Sequence, residues 1–147
     1  MPSKQLDAVK RAIVEAMPPF RVGDPADPKT AVGPMVSQKQ YDRVQSYIHK
    51  GIEEGAEVLV GGEGHPKGLE VGYFVKPTVF VNVSNDMTIA REEIFGPVLG
   101  VIAYDSDEDA IRIANDSGIA GSPRLAESCS ISRLARSCIT TSKCHST

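Results

Sequence analysis

An α/β layer architecture is what this sequence predicts, on two observations. The segments run helix, helix, strand, strand, strand, helix. Their apolar residues change from helical spacing to short unbroken β-rich runs, each bounded by Gly, Pro or Ser signals. No internal repeat is present, and the 147 residues fit one domain or a part of one.

The first helix is read from Leu6, Val9, Ile13, Ala16 and Met17, with Ser3 as its cap and Pro18-Pro19 as its stop. An irregular link follows, Phe20 to Pro28, and Pro25, Pro28 and Pro34 forbid regular structure over residues 25–34. The second helix opens on a capping box, Ser37-Gln38-Lys39-Gln40. The Ser37 hydroxyl is expected to accept from the backbone three residues on, and Gln40 to reach back. Tyr41, Val44, Ile48 and Ile52 form its apolar stripe, and Gly55 closes it.

Glu57-Val58-Leu59-Val60 reads as a short strand and 61–68 as a turn. Tyr73 to Val81 is β-rich, with Pro77 forcing an edge or a break. Leu99 to Tyr104 is a compact apolar run, expected to be a strand in a sheet interior. Ser106-Asp107-Glu108-Asp109 then caps a helix reaching about Asn115.

The composition breaks near residue 121. Residues 1–121 carry 12 Lys/Arg and 18 Asp/Glu, a net of −6; residues 122–147 carry four Lys/Arg and one Glu, a net of +3. The last 26 residues also hold seven of the 13 serines and all three cysteines, Cys129, Cys138 and Cys144. Residues 1–121 are therefore expected to fold. Residues 122–147 are expected to be a disordered or frame-shifted tail, which translating the other frames of the encoding DNA would check.

Several function classes are excluded by what the sequence lacks. The net charge of −3, without a dense basic stripe, argues against nucleic acid. No apolar run reaches the roughly 18–20 residues of a membrane helix, and no secretory leader opens the chain. A cytoplasmic protein is expected. His49 and His65 stand apart from any cysteine, and the tail cysteines with His145 match no zinc spacing, so no metal is expected. Gly61-Gly62-Glu63-Gly64 lacks the Lys-Ser/Thr ending of a phosphate loop and reads as a tight connection. No nucleophile elbow occurs, and the tail thiols are not expected to sit in the structured electropositive pocket that a cysteine nucleophile needs.

The most informative stretch is Met87 to Val98, which contains Glu92-Glu93-Ile94-Phe95-Gly96-Pro97. A carboxylate can accept from both neighbouring hydroxyls of a ribose, and an aromatic ring nearby can pack on a flat heterocycle. Read from the residues alone, that is only weakly suggestive, and a solvated Glu pair beside a core Phe is the default reading.

Met87 to Val98 resembles the signature segment of the aldehyde dehydrogenase superfamily. The neighbouring blocks resemble that family in the same order: Val22-Gly23-Asp24-Pro25, Gly33-Pro34-Met35-Val36 with Gln40 to Val44, Glu54 to Gly62, Gly72 to Phe80, and Ile113 to Ser117. The resemblance implies part of a catalytic domain, an open twisted sheet with flanking helices, incomplete at both ends. It implies oxidation of an aldehyde to a carboxylic acid with NAD or NADP. Glu93 would hold the nicotinamide-ribose hydroxyls, Phe95 would pack beside the nicotinamide, and Gln40 and Arg43 would lie near the cofactor. Arg43 stands where the family often has Lys, which keeps the charge and changes the donor geometry.

The family's cysteine nucleophile, general-base glutamate and dinucleotide-binding domain have no counterpart here. The chain alone is accordingly expected to be inactive, with no catalytic residue of its own, and to bind the dinucleotide weakly. The rival reading is a non-catalytic interaction protein that pairs with itself or with full-length homologues through exposed sheet edges.

Overall fold

Ser37 sits in extended backbone and its Oγ accepts from the Gln40 amide at 3.3 Å, which starts the longest helix among the described residues. The computed structural model describes residues 1–116, so the Ser/Cys/Arg-rich segment from residue 122 lies outside the described residues. In chain order the helices are α1 (Leu6–Ala16), α2 (Gln38–Glu53), α3 (Thr88–Arg91) and α4 (Asp107–Asn115). The strands are β1 (Glu57–Val60), β2 (Thr78–Val81) and β3 (Val98–Gly100). This is the expected α/β arrangement of helices around a small sheet.

The buried stripe of α2 is Tyr41, Val44, Ile48 and Gly51. Steps of three, four and three residues keep those positions on one face. Ile52, expected in the stripe, is instead 41% exposed, and glycine takes the buried place. A Cβ on Gly51 would stand 3.0 Å from Ile89 and 3.2 Å from the Phe80 ring, so a side chain there would push both away. The helix ends in a Schellman motif: Ala56 N donates to Gly51 O, Gly55 N donates to Ile52 O, and Gly55 has φ +94°.

The sheet order is β1-β2-β3, with β1 antiparallel and β3 parallel to β2. β2 is buried at all four residues, as a central strand covered on both faces requires. Its one polar side chain is satisfied: Thr78 Oγ1 accepts from Gly62 N and donates to Lys76 O. The β-rich stretch from Tyr73 becomes a strand only at Thr78, directly after Pro77. Beyond β2, Asn82 adopts φ +55°, a conformation Asn tolerates, and its side chain donates to Glu57. Glu57 also pairs with Lys10 at 3.1 Å, which ties α1 to β1.

Two expectations are corrected. Ser3 does not cap α1. It opens a 3-10 turn, Ser3–Gln5, and donates its hydroxyl to Tyr104 O at 3.0 Å, while α1 begins at Leu6 without a side-chain cap. Leu99 to Tyr104 is not one interior strand. Val98–Gly100 pairs with β2, whereas Tyr104 pairs in parallel with Pro2 through Ser3 N to Tyr104 O and Tyr104 N to Met1 O. Among the described residues no strand lies on the outer side of β3, and Leu99 is 55% exposed there.

Ser106 behaves as expected: its Oγ accepts from Asp109 N, and Asp107, Glu108 and Asp109 sit in the first turn of α4, where the helix dipole favours acids. The core gathers Tyr41, Val44, Ile48, Ala56, Val75, Phe80 and Val83 between α2 and the sheet. Burial of these apolar side chains is the main driving force of the fold.

Ser37→Ala is expected to destabilise the protein by about 0.5–2 kcal/mol. Amide exchange should accelerate across residues 38–44; unchanged exchange there would show that the cap contributes nothing to the helix start.

Candidate functional site

Segment 88–96 runs antiparallel along α2, and side chains of the helix hold it at successive levels. At the helix C-terminus, Glu54 accepts from Thr88 N at 2.7 Å and from Thr88 Oγ1 at 2.6 Å. Gly51 leaves room for Ile89. Tyr47 donates its hydroxyl to Glu92 Oε2 at 2.6 Å. Gln40 Nε2 donates to Phe95 O at 2.6 Å. Gly96 lies directly on Val44, so a Cβ there would come within 2.6 Å of a Val44 methyl.

The extended backbone after α3 separates the two glutamates. Successive side chains of an extended chain point to opposite sides. Glu92 is taken by Tyr47, and Ile94 packs against the core. The Glu93 carboxylate is exposed and has no hydrogen-bond or ion-pair partner among the described residues, and Phe95 is 66% exposed although its carbonyl is fixed. Phe95 is therefore no core ring; Ile94 takes that place.

Gln40 and Arg43 line an open hollow of about 550 Å³ at the first turns of α2, with Ser37, Lys39 and Ser46. Gln40 does not reach back to Ser37 as a capping box would have it; its amide goes to the Phe95 carbonyl. Arg43 Nη2 donates to the Tyr47 hydroxyl at 3.3 Å, and its guanidinium stands 5.5 Å from the centre of the Tyr47 ring. The structure thus links Gln40 directly to Phe95, and links Arg43 to the Glu pair through Tyr47. Glu93 is placed on the same loop without contact to the other three side chains.

Sequence reasoning missed Tyr47 and Glu54. Tyr47 had a readable signal: Gln40, Arg43 and Tyr47 recur at three- and four-residue steps, so they share one helix face. Glu54 had none, because a side chain just past a helix end can serve a different helix only through tertiary placement.

The Thr88 hydroxyl and amide hold the Glu54 carboxyl below its ordinary pKa. The two histidines among the described residues are used structurally. His49 bridges Glu53 and Glu63, which raises its pKa, chiefly through the Glu63 hydrogen bond. His65 stacks on Tyr41 and contacts its hydroxyl at 3.1 Å. No group of three or more metal-ligating side chains occurs among the described residues.

The sequence model of the aldehyde dehydrogenase family matches residues 1–125. A Staphylococcus aureus relative (strain bovine RF122 / ET3-1) bearing the aldehyde dehydrogenase name is 56% identical over 123 residues, covering 82% of this chain and 26% of that protein. Among solved structures, Mycobacterium tuberculosis aldehyde dehydrogenase complexed with NAD+ is 53% identical with a TM-score of 0.75. It covers 79% of this chain, which covers 24% of it. A mutant aldehyde dehydrogenase C from Pseudomonas syringae, complexed with NAD+ and octanal, is 45% identical with a TM-score of 0.76 over the same shares. The chain spans about a quarter of the length of these proteins.

Two outcomes follow from the contacts along α2. Gly96→Ala should destabilise the protein by about 1–3 kcal/mol, because the fully buried Val44 is stiff and cannot turn aside. Urea denaturation should show the loss, and Val44→Ala in the same chain should recover part of it; an unshifted midpoint for Gly96→Ala would refute the close packing. The second outcome concerns pH. A carboxyl whose folded pKa is depressed stabilises fully above its unfolded value, about 4.3 for Glu, and loses that contribution as pH falls through the folded value. The Thr88 amide resonance should titrate in that acid range and stop doing so in Glu54→Gln. A titration that persists unchanged in the variant would assign it to another group.

Proposed function

The chain belongs to the aldehyde dehydrogenase family, and from that premise we propose that the Glu92–Gly96 loop and the first turns of α2 form the nicotinamide-ribose side of an NAD(P) site. One observation carries the reading: a loop held by α2 leaves an unpartnered carboxylate at Glu93 and an exposed ring at Phe95, two positions apart. That donor set fits the group. A free carboxylate accepts from vicinal hydroxyls, and a bare aromatic face suits a flat heterocycle. Glu93 would hold the ribose and Phe95 would lie against the ring. Gln40 would keep Phe95 in place through its carbonyl, and Arg43 would offer a cation beside them. The two NAD+-bound relatives support a dinucleotide as the ligand.

When bound, the dinucleotide supplies the hydride acceptor for oxidation of an aldehyde to a carboxylic acid. This chain's own contribution is to bind and orient. Residues 1–128 hold no cysteine, so the thiolate nucleophile implied by the family resemblance does not come from this part of the chain. We propose that the chain by itself does not carry out the oxidation. Among the described residues no helix is long and apolar enough to cross a membrane, and a cytoplasmic location belongs to the same proposal. The interaction-protein reading rests on the outer edge of β3 alone and is not favoured.

Titrating NAD+ into the isotope-labelled chain tests the proposal. Resonances of residues 40–43 and 92–96 should move together, with a dissociation constant above roughly 1 mM, and Glu93→Ala should remove the response. Shifts confined to other regions, or a response that survives Glu93→Ala, would rule the site out.

A further inference from the structure

We propose that Tyr47 is a positioning residue for Glu93, acting through Glu92; the inference rests on the cofactor reading above. Its hydroxyl is the middle of a three-membered relay. It donates to Glu92 Oε2 at 2.6 Å and accepts from Arg43 Nη2 at 3.3 Å. A hydroxyl has one proton to give and lone pairs to receive, so one oxygen can do both. The bond to Glu92 is charge-assisted and short, the stronger class of hydrogen bond.

Two adjacent glutamates raise a question of assignment that the relay settles. Glu92 and Glu93 carry the same group on neighbouring positions of an extended chain, so rotation of the loop by one residue would exchange their sides. Apolar packing of Ile94 and the Gln40 bond at Phe95 act downstream of the pair. The Glu54 anchor acts upstream, at Thr88. The Glu92 amide also donates to Thr88 O at 3.0 Å, but among the described residues Tyr47 alone bonds a side chain of the pair. By taking Glu92, it leaves Glu93 as the carboxylate that faces outward.

The same hydroxyl stands between Arg43 and Glu92. No ion pair joins Arg43 to either glutamate among the described residues, and the guanidinium rests over the Tyr47 ring instead. Arg43 gives one of its five N–H donors to Tyr47 and keeps the others for an anion. A direct Arg43–Glu pair would consume the cation and a carboxylate together. Tyr47 therefore stands between Arg43 and Glu92 and leaves most of the Arg43 donors, and the Glu93 carboxylate, without a partner among the described residues.

Tyr47→Phe keeps the ring and removes only the hydroxyl, so the fold is retained and melting should be unchanged. Glu92→Gln keeps an acceptor for Tyr47; Glu92→Ala removes it. In the full chain, without cofactor, the heteronuclear NOE at residues 92–94 should fall in Tyr47→Phe and Glu92→Ala. It should be kept in Glu92→Gln. The double variant Tyr47→Phe/Glu92→Ala should be no more mobile than either single variant, because both break one contact. With NAD+, Tyr47→Phe should raise the dissociation constant about threefold to tenfold, up to about 1.4 kcal/mol. If the unmodified chain shows no NAD+ response at Glu93, the cofactor reading falls, while the NOE series still judges the relay. An NOE at 92–94 that is unchanged in Tyr47→Phe, or an NAD+ affinity that Tyr47→Phe leaves intact, overturns the role of Tyr47.

Discussion

The grip of α2 on the segment beside it is the constraint on which the rest depends. Glu54 takes Thr88, Gly51 admits Ile89, Tyr47 takes Glu92, Val44 supports Gly96 and Gln40 takes Phe95. Most of these levels are three or four residues apart, one helical turn, so one side of one helix makes the series. The chain between Thr88 and Gly96 has only a single turn of helix of its own. An isolated turn of that length is unstable in water, since nucleation costs more than one turn returns. Its conformation is consequently borrowed from α2.

That arrangement works only because α2 is itself immobilised. Its buried face packs on Phe80 and Val75, and Phe80 belongs to a strand enclosed on both faces. The Schellman motif at Gly55 then turns the chain directly into β1, which pairs with β2. Helix and sheet are thus joined covalently at Gly55 and by packing at Phe80. Gly51 brings the two relations together, because the absence of a side chain lets Phe80 and Ile89 meet the helix at one point. A larger residue there would separate the helix from the sheet and from the loop at once.

Local chemistry was legible in the sequence; tertiary chemistry was not. Ser37, Ser106 and Gly55 act as read, because a cap needs only its own neighbours in the chain. Ser3 failed although it is the same residue type, since Tyr104 offers a carbonyl that a local reading cannot know. Gln40 failed for the same reason: its side chain had a local use at Ser37 and a distant one at Phe95, and the distant one prevailed. Ile52 was misplaced because the turn-by-turn advance favours position 51 and hydrophobicity favours isoleucine; geometry won. Leu99 reads as interior from its apolar neighbours, but burial depends on what covers a strand, which no stretch of its own residues reveals. Glu93 and Phe95 stand on one short segment of the sequence, but only the family resemblance, and no local pattern, separates Glu93 from Glu92. The structure distinguishes them through Tyr47, 45 residues from Glu92.

The division of labour within the loop has a thermodynamic reason. Fixing one residue of backbone costs about 1–2 kcal/mol in conformational entropy. A loop left free would charge that cost against each binding event. Here the anchoring falls on backbone groups and on side chains turned toward the helix: Thr88, Glu92, Ile94 and the carbonyl of Phe95. The ordering cost is met during folding, by contacts that a ligand need not break. Glu93 and the Phe95 ring are left uncommitted, so neither must surrender a partner within the described residues to meet one from outside. An alternation of held and free side chains along the four residues Glu92 to Phe95 accomplishes this. A helical continuation of α3 would have rotated Glu93 and Phe95 about 200° apart and put the two on different faces. The extended conformation of Glu92 ends α3 and prevents that rotation.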